Sequence, residues 1–192
     1  MGMPALVSET VEGLYARLMA ACRGDSIEDL LARIISSWAQ SKSAMPDWLG
    51  LGEMEYLRMM SYHFPGIDAM ALAECGAGLD PERQDEMEDL RKLLRENRSG
   101  ETDSEFWVAD IVIAGCLGND HLWQDLGLWH RADLSRLMMV CFGPLARLND
   151  RDMKWKKFLY KQLCETEGIY TCRSPSCEVC VDYDNCFGSE EW

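Results

Sequence analysis

The chain has no apolar run long enough to cross a bilayer, no surplus of positive charge, and none of the motifs that cradle nucleotides. Its most apolar stretch, Phe106 to Leu117, is interrupted by Asp110 and falls short of the roughly 20 residues a spanning helix needs. Only 19 Lys and Arg stand against 33 Asp and Glu, for a net charge of -14. That balance removes the phosphate neutralisation on which most nucleic-acid affinity rests, so no nucleic-acid partner is expected. No P-loop, G-x-G-x-x-G fingerprint or Ser-His-Asp arrangement is present, which leaves nucleotide-driven catalysis and hydrolysis without support. The opening residues, MGMPALVSETVEGLY, carry neither a basic n-region nor a long apolar core and so argue against a secretory leader. Alternating strand patterns are missing as well, since the one candidate, Val179 to Tyr183, covers too few positions.

What is present reads as helix. Apolar residues make up 47% of 192 residues, enough for one domain with a substantial core. We expect an all-α protein, soluble and cytoplasmic, with a single helical domain over 1–168 and a Cys-rich, cluster-binding loop over 169–192 packed on or beside it. Asp25 with Glu28 suggests a capping box for a helix from Ser26 to Ala39, and Thr102 with Glu105 another for FWVADIVIAGCL. Asp80-Pro81 signals the start of a helix that stops near Ser99-Gly100. Asn149 is placed to cap DMKWKKFLYKQLCETE, which ends at Gly168. Further helices are expected over Thr10 to Ala21, Gly52 to Tyr62 and Ala132 to Cys141. RMMSYHFP at Arg58 to Pro65 echoes RLMMVCFGP at Arg136 to Pro144, a match that chance alignment of amphipathic helices explains as well as duplication does.

Cysteine is the unusual residue, with nine in the chain. In a reducing compartment that number favours metal ligation over disulfides. Cys22, Cys75, Cys116 and Cys141 lie in apolar or helical surroundings and read as small core residues. Cys172, Cys177, Cys180 and Cys186 differ, falling as C-x4-C-x2-C-x5-C in CRSPSCEVCVDYDNCFG. Four thiolates this close repel one another, and a stretch so rich in Pro, Ser, Asp and Asn cannot bury a core of its own. A thiophilic metal centre offsets both costs, and order in this loop is expected to arrive with the metal.

Spacing leaves the centre open. Structural zinc sites pair two short knuckles across a longer loop, whereas C-x4-C-x2-C begins like a plant-type ferredoxin. The finish also resembles the cluster loop of endonuclease III-like DNA glycosylases, but their glycine-rich hairpin is absent and the acidic charge opposes duplex DNA. An iron-sulfur cluster and a zinc-stabilised interaction module therefore both stand. Residues 131–173 carry nine Lys/Arg against five Asp/Glu. Lys154, Lys156, Lys157, Lys161 and Arg173 thus form either a solvated face or a docking or anion-attracting patch beside the cysteines. On the helix before them, Trp155, Phe158, Leu159, Gln162 and Leu163 form the stripe expected to pack on the domain, with Lys157, Tyr160, Lys161 and Cys164 on another face. Cys164 is a further candidate sulfur ligand, its plainer reading being a half-buried thiol.

The words around the cysteines narrow the choice. HLWQDLGL (His121 to Leu128), RADLSRLMMVCFGPLARLN (Arg131 to Asn149), MKWKKFLYKQLCETEG (Met153 to Gly168) and CRSPSCEVCVDYDNCFG (Cys172 to Gly188) together resemble the nitrogen-fixation NifQ family. Upstream the resemblance thins, with LGLGEMEYLRMMSYHFPG (Leu49 to Gly66) the best match. It implies a carrier and not a turnover enzyme: a protein that captures molybdenum on an iron-sulfur cluster and donates it for assembly of the nitrogenase iron-molybdenum cofactor. The implied cluster is of 3Fe-4S or 4Fe-4S type, becoming a Mo-3Fe-4S unit, with Cys172, Cys177, Cys180 and Cys186 as ligands. The implied partners are the cofactor assembly scaffold, the nitrogenase iron protein and molybdate or another molybdenum source. Under this resemblance His121 is a candidate molybdenum ligand or donor to a cluster sulfide, with helix capping as its plainer role.

Overall fold

Residues 9–72 and 84–167 are described in the computed structural model of the protein, and every regular element among them is helical. They form α1 (Val11–Ala21), α2 (Glu28–Trp38), α3 (Glu53–His63), α4 (Gln84–Glu96), α5 (Ser104–Cys116), the single-turn α6 (Leu122–Asp125), α7 (Arg131–Cys141), the single-turn α8 (Gly143–Ala146) and α9 (Trp155–Glu167). Short 3-10 turns at Asp47–Gly50 and Met70–Leu72 complete the set. The expected all-α class is thus met by the described residues. No helix among them is long and apolar enough to cross a membrane. The boundary proposed at 168, Asp80-Pro81, Gly168, the Val179 to Tyr183 alternation and Cys75 all lie outside the described residues.

Two helices make the centre. α5 buries Val108, Ala109, Ile111, Val112, Ile113, Ala114, Gly115 and Cys116 with little regard to face. A helix that is apolar all round must be covered all round. α2 buries Leu30, Leu31, Ala32, Ile34, Ile35 and Trp38 in the same manner. α1 packs along α2 and α4 along α5, while α9 lies against α4. Trp38, Tyr56 and Trp48 interlock edge-on at ring-centroid separations of 5.6 and 5.5 Å, joining α2, the 3-10 turn and α3. Such aromatic pairs contribute about 0.5–1.5 kcal/mol beyond the area they bury.

Burying a helix start leaves its amides without water, and two glutamates solve this in ways the sequence signals only half revealed. Glu28 is buried and accepts the backbone N–H groups of Arg23 (3.1 Å), Gly24 (2.7 Å) and Asp25 (2.9 Å). Glu105, also buried, accepts those of Gly100 (2.9 Å) and Glu101 (3.0 Å). The Asp25–Glu28 and Thr102–Glu105 pairs are therefore not reciprocal capping boxes. The N-caps are Ile27 and Asp103, neither of which caps through its side chain. Each glutamate instead turns back and clasps the approaching loop: the carboxylate is buried while the loop runs along the surface, and the loop's N–H groups replace the hydration the carboxylate has lost. Asn149 departs from expectation too: it bonds both the N–H (2.8 Å) and the carbonyl (3.0 Å) of Met153, closing the turn ahead of α9 without capping the helix.

His63, at the end of α3, is fully buried with Nδ1 3.3 Å from Glu28 Oε1. Burial holds its pKa below the ordinary histidine value despite the carboxylate. The ring is thus neutral at pH 7 and donates from Nδ1 as a structural partner. Glu28 feels burial most strongly, which raises its pKa, yet the Arg23, Gly24 and Asp25 amides together outweigh burial and hold it below the usual carboxylate value. A depressed folded-state value adds stability above the unfolded pKa, and that stability is lost as pH falls through the folded one. Glu28→Gln should therefore cost about 1–3 kcal/mol at pH 7. Its deficit should shrink as urea unfolding is repeated at successively lower pH, below about 4.

Candidate metal centre

The polypeptide reaches the cysteine cluster through α9, so the site begins with what fixes that helix. Trp155, Phe158, Leu159 and Tyr160 are buried, and Trp155 stacks edge-on against Phe158 at 5.8 Å. Trp155 also donates from its indole nitrogen to Ser135 Oγ of α7 (3.2 Å). Tyr160 is bonded to Glu86 of α4. The buried stripe is thus wider than expected: Tyr160 belongs to it, because α4 covers that flank, while Gln162 is only half-buried and bonds Glu165 (2.9 Å).

Polar anchoring of α9 comes from Lys156. Its ammonium donates to the Gly118 carbonyl (2.8 Å) and is paired with the carboxylate of Asp125, which is buried at the end of α6. Asp125 additionally accepts the Asp120 backbone N–H at 3.0 Å. Gly118 must be glycine here, since a Cβ would sit 2.3 Å from Asp125 Cγ. The sequence marks this anchor faintly, as one carboxylate between apolar neighbours in HLWQDLGL and one ammonium among the aromatics of WKKFLY. Lys156 is accordingly removed from the anion-attracting set. Of the other basic residues, Lys161 lies 3.5 Å from Glu165, Arg131 pairs with Asp152 (2.5 Å) and Arg136 with Asp29. Lys154 and Lys157 are half-buried. A cleft of about 210 Å³ runs beside α9, where Arg151 and Lys161 share a wall with Asn149, Phe158 and Gln162.

The candidate ligands divide sharply. Cys172, Cys177, Cys180 and Cys186, and Arg173 with them, lie outside the described residues. Cys164 is half-buried on α9, four residues after Tyr160. Cys116 and Cys141 are buried thiols, and burial, aided by Glu105, pushes Cys141 up to about 12. A thiol held so firmly protonated is a core residue and a poor ligand. His121 is exposed at the N-cap of α6, where its carbonyl accepts the N–H groups of Gln124 (2.9 Å) and Asp125 (3.0 Å). Its backbone thereby shapes the turn that presents Asp125. Among the described residues no group of three or more His, Cys, Asp or Glu side chains can hold a metal ion.

The described helices thus lead, through the anchored α9, toward a sequence that carries four closely spaced cysteines. The chain belongs to the NifQ family: the NifQ family model matches residues 30–188, a span that includes all four clustered cysteines. It is 43% identical over 190 residues to Protein NifQ of Azotobacter vinelandii, covering 89% of this chain and 97% of the relative. The NifQ homolog of Sinorhizobium fredii is 36% identical over 164 residues, covering 84% and 70%. Protein NifQ of Rhodobacter capsulatus is 34% identical over 161 residues, covering 84% and 87%. No solved structure matches the chain.

Removing Lys156 alone would leave the Asp125 carboxylate buried without its counter-ion, at a cost of about 3–5 kcal/mol. Lys156→Met should accordingly lower the urea midpoint strongly, and adding Asp125→Leu should restore much of the loss. A midpoint that drops equally in the single and double variants would show that the pair does not act as one unit.

Proposed function

We propose that the protein captures molybdenum on an iron-sulfur cluster held by Cys172, Cys177, Cys180 and Cys186, and donates it for assembly of the nitrogenase iron-molybdenum cofactor. The observation that carries this reading is the unbroken family match through C-x4-C-x2-C-x5-C, four thiolates of the kind iron and molybdenum bind. The described cysteines support it by contrast, since the buried Cys116 and Cys141 thiols are committed to the core. When bound, such a cluster offers a face of sulfides, a soft pocket suited to reduced molybdenum.

The chain's own residues have distinct parts in this scheme. The four thiolates bind the irons, and the Lys156–Asp125 pair holds the helix from which they extend. Arg151 and Lys161, sharing one cleft, offer positive charge to an incoming molybdate oxyanion against the negative field of the whole protein. Cys164 and His121 are secondary positions from which a sulfur or an imidazole can adjust the centre. Transfer proceeds to the cofactor assembly scaffold with the nitrogenase iron protein as the second partner. The protein acts in nitrogen fixation as a carrier.

Purification without oxygen, followed by metal analysis and paramagnetic resonance, tests the reading. Brown protein containing iron, sulfide and molybdenum is the expected outcome, with single Cys→Ser changes at 172, 177, 180 or 186 lowering iron content. A colourless protein with stoichiometric zinc would replace this reading with a zinc-stabilised interaction module. Serine variants that keep full iron and molybdenum would remove the cysteines from the site.

A further inference from the structure

The echo between Arg58 to Pro65 and Arg136 to Pro144 extends through the described body at a nearly constant offset. Shifted by 76 residues, Leu14 and Leu18 of α1 fall on Leu90 and Leu94 of α4, and all four are buried. Positive-φ Gly24 falls on positive-φ Gly100 at the same shift. Shifted by 77, Glu28 falls on Glu105, each a buried carboxylate clasping the loop before its helix. Leu31, Ala32, Ile34 and Ile35 of α2 then fall on Val108, Ala109, Ile111 and Val112 of α5, every one buried. The same shift places Leu49-Gly50-Leu51 on Leu126-Gly127-Leu128.

Shifted by 78, Tyr56, Met59 and Met60 of α3 fall on Leu134, Leu137 and Met138 of α7, again buried throughout. Both helices end alike. Phe64 has φ -129 and donates to the Met60 carbonyl at 2.8 Å, while Phe142 has φ -133 and donates to the Met138 carbonyl at 2.8 Å. Offsets that creep from 76 to 78 are those of one unit repeated with single-residue insertions in its loops.

Contacts between the halves are reciprocal. A Cβ on Gly50, in the first half, would meet Ala114 Cβ of α5 at 2.6 Å; one on Gly127, in the second, would meet Ser37 Cβ of α2 at 2.7 Å. Ser37 and Ala114 are themselves related by the 77-residue shift, and both glycines have positive φ, +80° and +76°. At the level of helices the pattern repeats with different residues: Glu55 of α3 accepts the Trp107 indole N–H of α5 (3.0 Å), while its counterpart Asp133 of α7 accepts from Arg33 of α2 (3.0 Å), which is not the counterpart of Trp107. When residue i meets j and the equivalent of j meets the equivalent of i, the interface is isologous, the hallmark of two-fold symmetry.

We infer that residues 11–142 are two copies of one four-element helical unit, α1-α2-turn-α3 and α4-α5-α6-α7, each presenting a surface whose partner is the other copy. The copies have diverged locally. The first runs its turn through left-handed Trp48 and Leu49, whereas the second forms right-handed α6 and there presents Asp125. Lys156 docks on this second copy, so α9 and the cysteine segment belong to neither unit and are seated by a feature that only one copy possesses.

An experimentally determined structure of the full chain tests the inference directly. A single rotation near a half-turn should superpose residues 11–38 and 45–64 on 87–115 and 122–142. A fit that matches only isolated helices would overturn the duplication. In solution, Gly50→Ala and Gly127→Ala should each lower the urea midpoint, with Ala114→Gly and Ser37→Gly respectively recovering part of the loss. Should either glycine variant fail to fold, Ala114→Val and Ser37→Val give milder intrusions at the same two contacts. Loss at one contact and silence at its counterpart would refute a reciprocal interface.

Discussion

A helix buried on nearly every side has no water for the amides at its start, and this constraint organises the protein. α2 and α5 supply about a third of the buried apolar side chains, and in each a buried glutamate of the first turn takes up the N–H groups of the loop leading into the helix. The carboxylate costs little in that setting, since several backbone donors replace its lost hydration. The same bonds tie loop to helix, so the chain is directed back over the core. The Glu28 clasp reaches one step further and engages the buried His63 at the end of α3. Its counterpart Glu105 contributes to the raised pKa of Cys141, the residue that takes the place of His63 in the second half. Matching architecture thus tolerates different chemistry at the end of the third helix, provided the clasp survives.

The same economy governs charge. A chain with net charge -14 repels anions at long range, yet much of its positive charge is spent internally. Arg33 bridges Asp29 and Asp133, Arg91 and Arg95 both reach Asp110, and Lys156 neutralises Asp125. Apart from Arg33–Asp29 within α2, these pairs join one helix to another; in the basic segment itself Arg131, Arg136 and Lys156 are each paired with an aspartate, which makes it a poorer anion trap than its composition suggests. The cleft that Arg151 and Lys161 line also takes in Asp150, and Lys161 lies 3.5 Å from Glu165, so the positive charge there is partly offset as well. Local arrangement, and not the count of lysines, decides what an oxyanion would meet.

Helix positions were legible in the sequence because they follow from apolar periodicity: α1, α2, α3, α5 and α7 appear within two residues of their expected bounds, while α9 starts three residues later than expected. Capping chemistry was not. Asp25-x-x-Glu28 and Thr102-x-x-Glu105 have the spacing of a reciprocal cap, but spacing does not report that the glutamate side chain is itself buried, and a buried carboxylate gathers several N–H groups of the preceding loop in place of a single cap. Tyr160 was misplaced for a related reason: a helical wheel shows one face, and only tertiary packing reveals that α4 covers a second. The Lys156–Asp125 anchor joins residues 31 positions apart, a distance that no local pattern encodes. The four clustered cysteines, by contrast, stand out at the level of composition and spacing, because the metal ligation proposed for them needs residue types that a core or a solvated face does not.

A division of labour follows from these observations. Core positions in the two helical units are filled with apolar side chains, and the buried carboxylates Glu28, Glu105, Asp125 and Asp133 are engaged as clasps, bridges and helix ends. Inserting thiolates there would set charge against desolvation, as the strongly raised Cys141 already illustrates. On the reading proposed above, in which the cysteine segment holds soft metals and passes one to a partner, such chemistry is better kept out of this core and tied to it by a well-held helix. α9 meets that requirement: aromatic burial fixes its body, a buried ion pair fixes its start, and Cys164 lies toward its end. Rigidity at the base and freedom of ligand choice beyond it are compatible because different residues provide them.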